Sequence, residues 1–180
     1  MKPEEKARVK IDQWLTDAGW KVINRDEFEA NSSAVAVREG LLKGNKEADY
    51  FLFINGKAIG VLEAKREEID VTQQTVCEQI EGYARGVPSY YTAYQKPLPF
   101  LYTSNGKHLY FRDVRKEKSD YEEISVMHKP KRMVDMLGIE DPFAGLPSLN
   151  PKGLRACQYE AITELEKSFR NGQDRALMNL

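Results

Sequence analysis

The feature that most restricts this chain is a pair of apolar runs, Tyr50-Phe51-Leu52-Phe53-Ile54 and Ala58 to Ala64, separated by Asn55-Gly56. Continuous apolar runs of this length suit strands covered on both faces. Asn-Gly suits the tight hairpin turn whose two central residues both need positive φ. Two adjacent, largely buried strands are therefore expected over residues 48–65. Other segments fit a layered arrangement around them. Pro3, Glu4 and Glu5 open a helix over 4–18, because proline suits the first turn and carboxylates favour the positive end of the helix dipole. Ala7, Ile11, Trp14, Leu15 and Ala18 recur at helical spacing, and Gly19 supplies a stop. Trp20, Val22 and Ile23 suggest a short strand. Residues 24–44 mix charge with small side chains and read mostly as loop, with Ala34 to Val37 a weak strand. A second helix is expected over 70–86, with Val76, Ile80 and Tyr83 on one face and Gly86-Val87-Pro88 ending it. Phe100 to Thr103 and His108 to Arg112, joined by Ser104-Asn105-Gly106-Lys107, add two more strands. The expected fold class is α/β, a mixed β-sheet core flanked by helices.

With 180 residues, 41% of them hydrophobic, the chain can bury a core without disulfides or structural metal. Its 27 Lys and Arg against 28 Asp and Glu leave a net charge of −1, so no global field draws it to nucleic acid. Any such contact must come from local basic patches. Cys77 and Cys157, without a signal peptide, fit a reducing cytosol, and two histidines without a CxxC pair argue against zinc. No apolar run approaches the ~20 residues that span a bilayer. A cytoplasmic protein with no membrane partner is expected.

After residue 114 the character changes. Arg115 to Glu123 is dense in charge, and Pro130, Pro142, Pro147 and Pro151 punctuate short apolar pieces, as in a connecting extension over 115–150. A last helix is expected over 152–170. Ala176 to Leu180 then reads as a strand with nothing after it to pack it, as in a piece of a longer protein.

Chemistry concentrates at Glu63-Ala64-Lys65. Because strand side chains alternate, Glu63 and Lys65 share one face. Asp49 lies at the start of the preceding strand. Two carboxylates from neighbouring strands can hold a hard divalent cation such as Mg²⁺, with Lys65 placed to orient water or neutralise charge building on a phosphate. The hairpin imposes a condition. A two-residue loop at Asn55-Gly56 pairs Ile54 with Lys57 and Asp49 with Leu62, which puts Asp49 and Glu63 on opposite faces. A three-residue loop, or a bulge in either strand, brings Asp49 level with Glu63. One or the other is expected.

Several stretches together resemble the N-terminal PD-(D/E)xK nuclease domain of the motor and cleavage subunit of type I restriction enzymes. They are Arg8 to Leu15 with Ala18-Gly19-Trp20, Glu47-Ala48-Asp49-Tyr50, Val61 to Arg66, Gln79 to Ala84 and Tyr102 to Gly106. The resemblance implies a restriction-endonuclease-like fold over 1–114. It implies Asp49, Glu63 and Lys65 as catalytic residues, and Asp49, Glu63 and the Ala64 backbone carbonyl as ligands of Mg²⁺. Gln79 and Tyr83, from a Q-x-x-x-Y motif, would support DNA handling, and Glu4 or Glu5 would match an acidic residue of the first helix. Leu154 to Ala161 is similar to the adenine-recognising stretch of superfamily 2 helicases, with Gln158 reading ATP in a longer protein. Residues 151–180 would then be the start of an ATPase domain, and no G-x-x-x-x-G-K-[ST] is present. The implied function is Mg²⁺-dependent cleavage of duplex DNA in antiviral defence, alongside methyltransferase and specificity subunits. Lys43, Lys46, Arg66 and Arg85 flank the site as candidate phosphate contacts, and Lys129, Lys131 and Arg132 form a second basic cluster. Two alternatives stay open: the nuclease domain of another defence or repair nuclease-helicase, and a non-catalytic DNA-binding or docking module.

Overall fold

The computed structural model describes residues 3–30, 32–42, 46–117, 119–139 and 149–170. Two compact units divide at Pro130. The first holds a mixed sheet of eight strands among the described residues, in the order β1 (Lys21–Asn24), β2 (Ala34–Leu41), β3 (Glu47–Ile54), β4 (Lys57–Ala64), β6 (Phe100–Ser104), β7 (Leu109–Asp113) and β8 (Glu122–Glu123). The two-residue β5 (Thr92–Ala93) pairs beside the start of β4. The pairs β1–β2 and β4–β6 are parallel, while β2–β3, β3–β4, β6–β7 and β7–β8 are antiparallel. The expected α/β class with a mixed sheet is the fold observed.

Helix α1 (Pro3–Asp17) buries Ala7, Ile11 and Leu15, the stripe its periodicity predicts, and Tyr50 reaches it through its hydroxyl, which donates to Asp12 Oδ1 at 2.9 Å. The opposite face carries Phe51, Phe53, Val61 and Leu101 against Ile80 and Ala84 of α2 (Gln74–Arg85). With both faces covered, β3 and β4 can be apolar throughout, as their sequence runs are.

Three expectations change. The weak strand expected over Ala34 to Val37 continues through the stretch read as loop to Leu41, and all eight residues form a strand paired on both sides. The charge that hid its second half is satisfied by α1: Arg38 donates to both oxygens of Asp12. The second helix starts at Gln74 rather than 70, because Asp70 Oδ1 accepts from the Thr72 backbone and hydroxyl and holds a turn there. The stretch 115–150 is not uniform connector. It supplies β8 and the side chains Met127 and His128 to the first unit, and His128 Nδ1 lies 2.9 Å from the buried Tyr102 hydroxyl. In the second unit, α3 begins at the boundary (Pro130–Leu137) and α4 spans Ala156–Arg170. The apolar run at 176–180 lies outside the described residues, as does Lys43. No helix among the described residues is long and apolar enough to cross a membrane.

Candidate active site

The hairpin between β3 and β4 closes with the two-residue turn. Asn55 and Gly56 both have positive φ, 49° and 72°, and Ile54 pairs with Lys57. Gly56 cannot be replaced freely, since a Cβ there would lie 1.7 Å from the Ala30 carbonyl oxygen. Unbroken, this register would separate the two carboxylates. It is broken once: Phe53 pairs with Ala58 and Leu52 with Gly60, so Ile59 is an extra residue on β4. Past the bulge the ladder runs Phe51↔Val61 and Tyr50↔Leu62, and one step further Asp49 stands level with Glu63 on the α2 face. The bulge is one of the two solutions the sequence required.

Asp49 Oδ2 accepts a hydrogen bond from the Ala64 backbone N–H at 2.7 Å. In an extended strand a residue's N–H and C=O point toward the same neighbour, so the Ala64 carbonyl also faces the β3 side. Glu63 Oε1 accepts from Lys65 Nζ at 2.5 Å and from Gln79 Nε2 at 2.9 Å. Gln79 Oε1 in turn accepts from Lys65 Nζ at 3.0 Å, and its Nε2 also donates to the Tyr83 hydroxyl. The structure thus brings together Asp49, Glu63, Lys65, Gln79 and Tyr83 from β3, β4 and α2. The i, i+4 spacing on α2 places the amide and the phenol on one helix face.

Charge balance in the cluster is uneven. The Glu63 side chain is 5% exposed, against 23% for Lys65. Burial, and then the negative charge of Asp49, push the Glu63 carboxyl up to about 7, against the pull of Lys65. A site that raises a carboxylate in this way favours an added cation. Two carboxylates and a carbonyl are the all-oxygen donors a hard ion such as Mg²⁺ takes, and Mg²⁺ needs only one or two carboxylates because it keeps its waters. Among the described residues no group of three or more His, Cys, Asp or Glu side chains could hold a metal. The oxygen donors that Asp49, Glu63 and the Ala64 backbone bring together are of the kind Mg²⁺ takes.

Sequence reasoning did not single out Arg8, the side chain that α1 delivers to Asp49. Its sequence signals are its place beside the buried stripe, four residues before Asp12, and at the head of the Arg8 to Leu15 stretch. Glu5 is exposed on the same helix, and the Glu4 side chain lies outside the described residues. A groove of about 550 Å³ opens along the exposed edge of α2, lined by Leu42, Lys46, Glu78, Gln79, Gly82 and Tyr83 among others. Arg66 and Arg85 are exposed. Gln158 belongs to the second unit, where its side-chain oxygen accepts the Arg155 N–H at the start of α4.

Comparison with known proteins gives three kinds of likeness. Residues 25–137 match the family described as the second domain of the type I restriction enzyme EcoKI endonuclease subunit. The EcoKI endonuclease subunit of Escherichia coli is 28% identical over an alignment that covers 97% of this chain and 20% of that protein. The chain thus spans about a fifth of the length of that relative. Among solved structures, the type IIG restriction endonuclease BpuSI is similar with a TM-score of 0.45 and 17% identity, over 74% of this chain and 15% of that one. A fragment described as an HsdR subunit of a type I restriction enzyme from Vibrio vulnificus is similar with a TM-score of 0.46 and 22% identity, over 99% of this chain and 34% of that one.

Proposed function

The chain belongs to the family of the second domain of the type I restriction enzyme EcoKI endonuclease subunit, and from this premise we propose that it is a Mg²⁺-dependent nuclease module that hydrolyses phosphodiester bonds of duplex DNA. The single observation that carries the reading is the bulge at Ile59, which sets Asp49 level with Glu63 beside Lys65. A fold kept only for docking has no need to place two carboxylates and an ammonium together at this burial, where charge is costly.

Asp49, Glu63 and the Ala64 carbonyl would hold the ion, which when bound supplies charge that polarises the scissile phosphate and makes water a stronger nucleophile at neutral pH. The protein's own groups do the positioning. The Ala64 N–H fixes one oxygen of Asp49, and Gln79 ties the Glu63 carboxylate to the Lys65 ammonium through its amide. Tyr83 holds that amide from the far side. Lys65, the more exposed member, would orient water or offset charge gathering on the phosphoryl oxygens. Lys46, in the groove beside Gln79 and Tyr83, is placed to meet a backbone phosphate without reading a base.

In a longer protein, sequence choice would come from methyltransferase and specificity subunits, and ATP, with Gln158 near its base, would drive a motor beyond this chain. The module alone would cut without sequence preference. The test is cleavage of supercoiled plasmid by the chain in millimolar Mg²⁺, with Lys65→Ala beside it. Loss of about a hundredfold in rate, with Mn²⁺ binding retained, is expected for removal of a group that acts on the reacting phosphate. Cleavage unaffected by Lys65→Ala would overturn the assignment.

A further inference from the structure

We infer that Arg8 is a phosphate-binding residue of the same site, held on Asp49 and Glu39 until a divalent ion takes its place on Asp49. The inference rests on the proposed reading of Asp49 as an ion ligand and goes beyond it by adding a substrate contact from α1.

Arg8 lies on the flank of the buried stripe of α1, and its side chain is 40% exposed. One end of the guanidinium, Nη2, donates to Asp49 Oδ1, and the other, Nη1, to Glu39 Oε1 at 3.0 Å. Glu39 is held for this contact by an uncommon backbone. The β2–β3 ladder runs Arg38↔Tyr50 and resumes at Gly40↔Ala48, leaving Glu39 across from Asp49 with φ of 51°. A left-handed conformation is strained at a residue with a Cβ, and such residues cluster at functional sites. The neighbouring Arg38 offers a contrast. It forms a closed fork with Asp12, whose Oδ1 also accepts the Tyr50 hydroxyl, and so fixes α1 to the sheet. Arg8 is shared instead between two carboxylates, and one of them is the proposed ligand.

With Ala64 N–H on Oδ2 and Arg8 on Oδ1, both oxygens of Asp49 are engaged. A divalent cation at Asp49 competes with the guanidinium for the same oxygen and repels it. Once displaced, Arg8 keeps Glu39 and turns free N–H donors toward the mouth of the site, in the planar fork that matches phosphate oxygens. The substrate class is a phosphodiester anion.

The proposal is tested with the full chain and three substitutions, Arg8→Gln, Glu39→Gln and Asp49→Asn, by Mn²⁺ titration without DNA and by DNA binding across a salt series in Ca²⁺. Arg8→Gln is expected to tighten Mn²⁺ binding by about fivefold, as a half-exposed competing charge is removed. It should also reduce the slope of log K against log salt by about one, the signature of one lost phosphate contact. Glu39→Gln is expected to weaken Mn²⁺ binding, because Arg8 then rests on Asp49 alone. Unchanged or weakened Mn²⁺ affinity in Arg8→Gln, or an unchanged salt slope, would overturn the role of Arg8 while Asp49→Asn still abolishes Mn²⁺ binding. Mn²⁺ binding indifferent to Asp49→Asn would remove the ion-site reading, and this inference with it.

Discussion

At the scale of single residues the energetics turn on Glu63. Its carboxyl is raised to about 7, first by burial and then by Asp49, above the ~4.3 of an unfolded chain. A group whose folded pKa lies above its unfolded one binds its proton more tightly in the native state. Its contribution to stability is fully present below the unfolded pKa and is lost as pH rises through the folded pKa. Without a divalent ion, the melting temperature is therefore expected to fall between about pH 4.5 and pH 7.5. Glu63→Gln should flatten that fall. Added Mg²⁺ should offset it most at the alkaline end, where Glu63 is ionised and free to bind. Thermal melts of both proteins over this range, with and without Mg²⁺, check the sign. A melting temperature that rises toward pH 7.5 without the ion would mean that Lys65 outweighs burial and Asp49. Lys65 and Gln79 both bond Glu63, so their substitutions should not be additive with Glu63→Gln.

Secondary-structure elements carry the register on which the site depends, and here the bulge makes an unusual forecast. Deleting Ile59 leaves Phe53 opposite Ala58 and Leu52 opposite Gly60, now in an unbroken ladder, so Asp49 stays level with Glu63. Divalent-ion binding should persist in that variant, at the cost of a fully buried isoleucine, roughly 2–4 kcal/mol. Adding one residue between Gly60 and Val61 has the opposite consequence. It sets Leu62 against Asp49, turns Glu63 to the other face and should abolish binding. Calorimetric titration of both variants with Mn²⁺ separates the outcomes; binding by the lengthened chain would show that the strand end refolds to restore the pair. The same hairpin shows what a sequence reveals. Its strands are legible because both faces are buried and the apolar runs are unbroken, and Glu63-Ala64-Lys65 is legible because strand alternation fixes a shared face. Whether the loop or the ladder absorbs the odd residue is not legible, since turn and bulge satisfy the same arithmetic. Nor is the second half of β2, whose Arg38, Glu39 and Gly40 break the apolar pattern for reasons lying in Asp12, Arg8 and Phe51. Gly40 admits the Phe51 ring, which a Cβ would meet at 2.2 Å. Arg8 was hidden for the same cause, a partner 41 residues away that helical spacing cannot announce.

At the scale of the whole molecule, charge sets how the site meets DNA. With a net charge of −1, the chain offers no long-range attraction, and approach must rest on a few cations near the site. Arg85 lies 4.0 Å from Glu81 and Lys107 is paired with Glu67, so part of the local positive charge is already offset. Lys46 on the groove and Arg66 past the end of β4 are exposed. Two or three phosphate contacts from this set give a log K against log salt slope of about −2 to −3. Affinity for duplex DNA is then expected to be micromolar or weaker near ~150 mM salt and to tighten by about tenfold to twentyfold at ~50 mM. Fluorescence anisotropy with a labelled duplex, in Ca²⁺ to hold the site without turnover, measures the slope directly. Lys46→Ala should reduce it by about one unit and weaken binding equally for unrelated sequences, because a phosphate contact carries no base information. A slope steeper than about −6 would require more positive charge than the described residues place at the proposed site, and would move the DNA contact to another part of the chain, with Lys129, Lys131 and Arg132 the first residues to substitute.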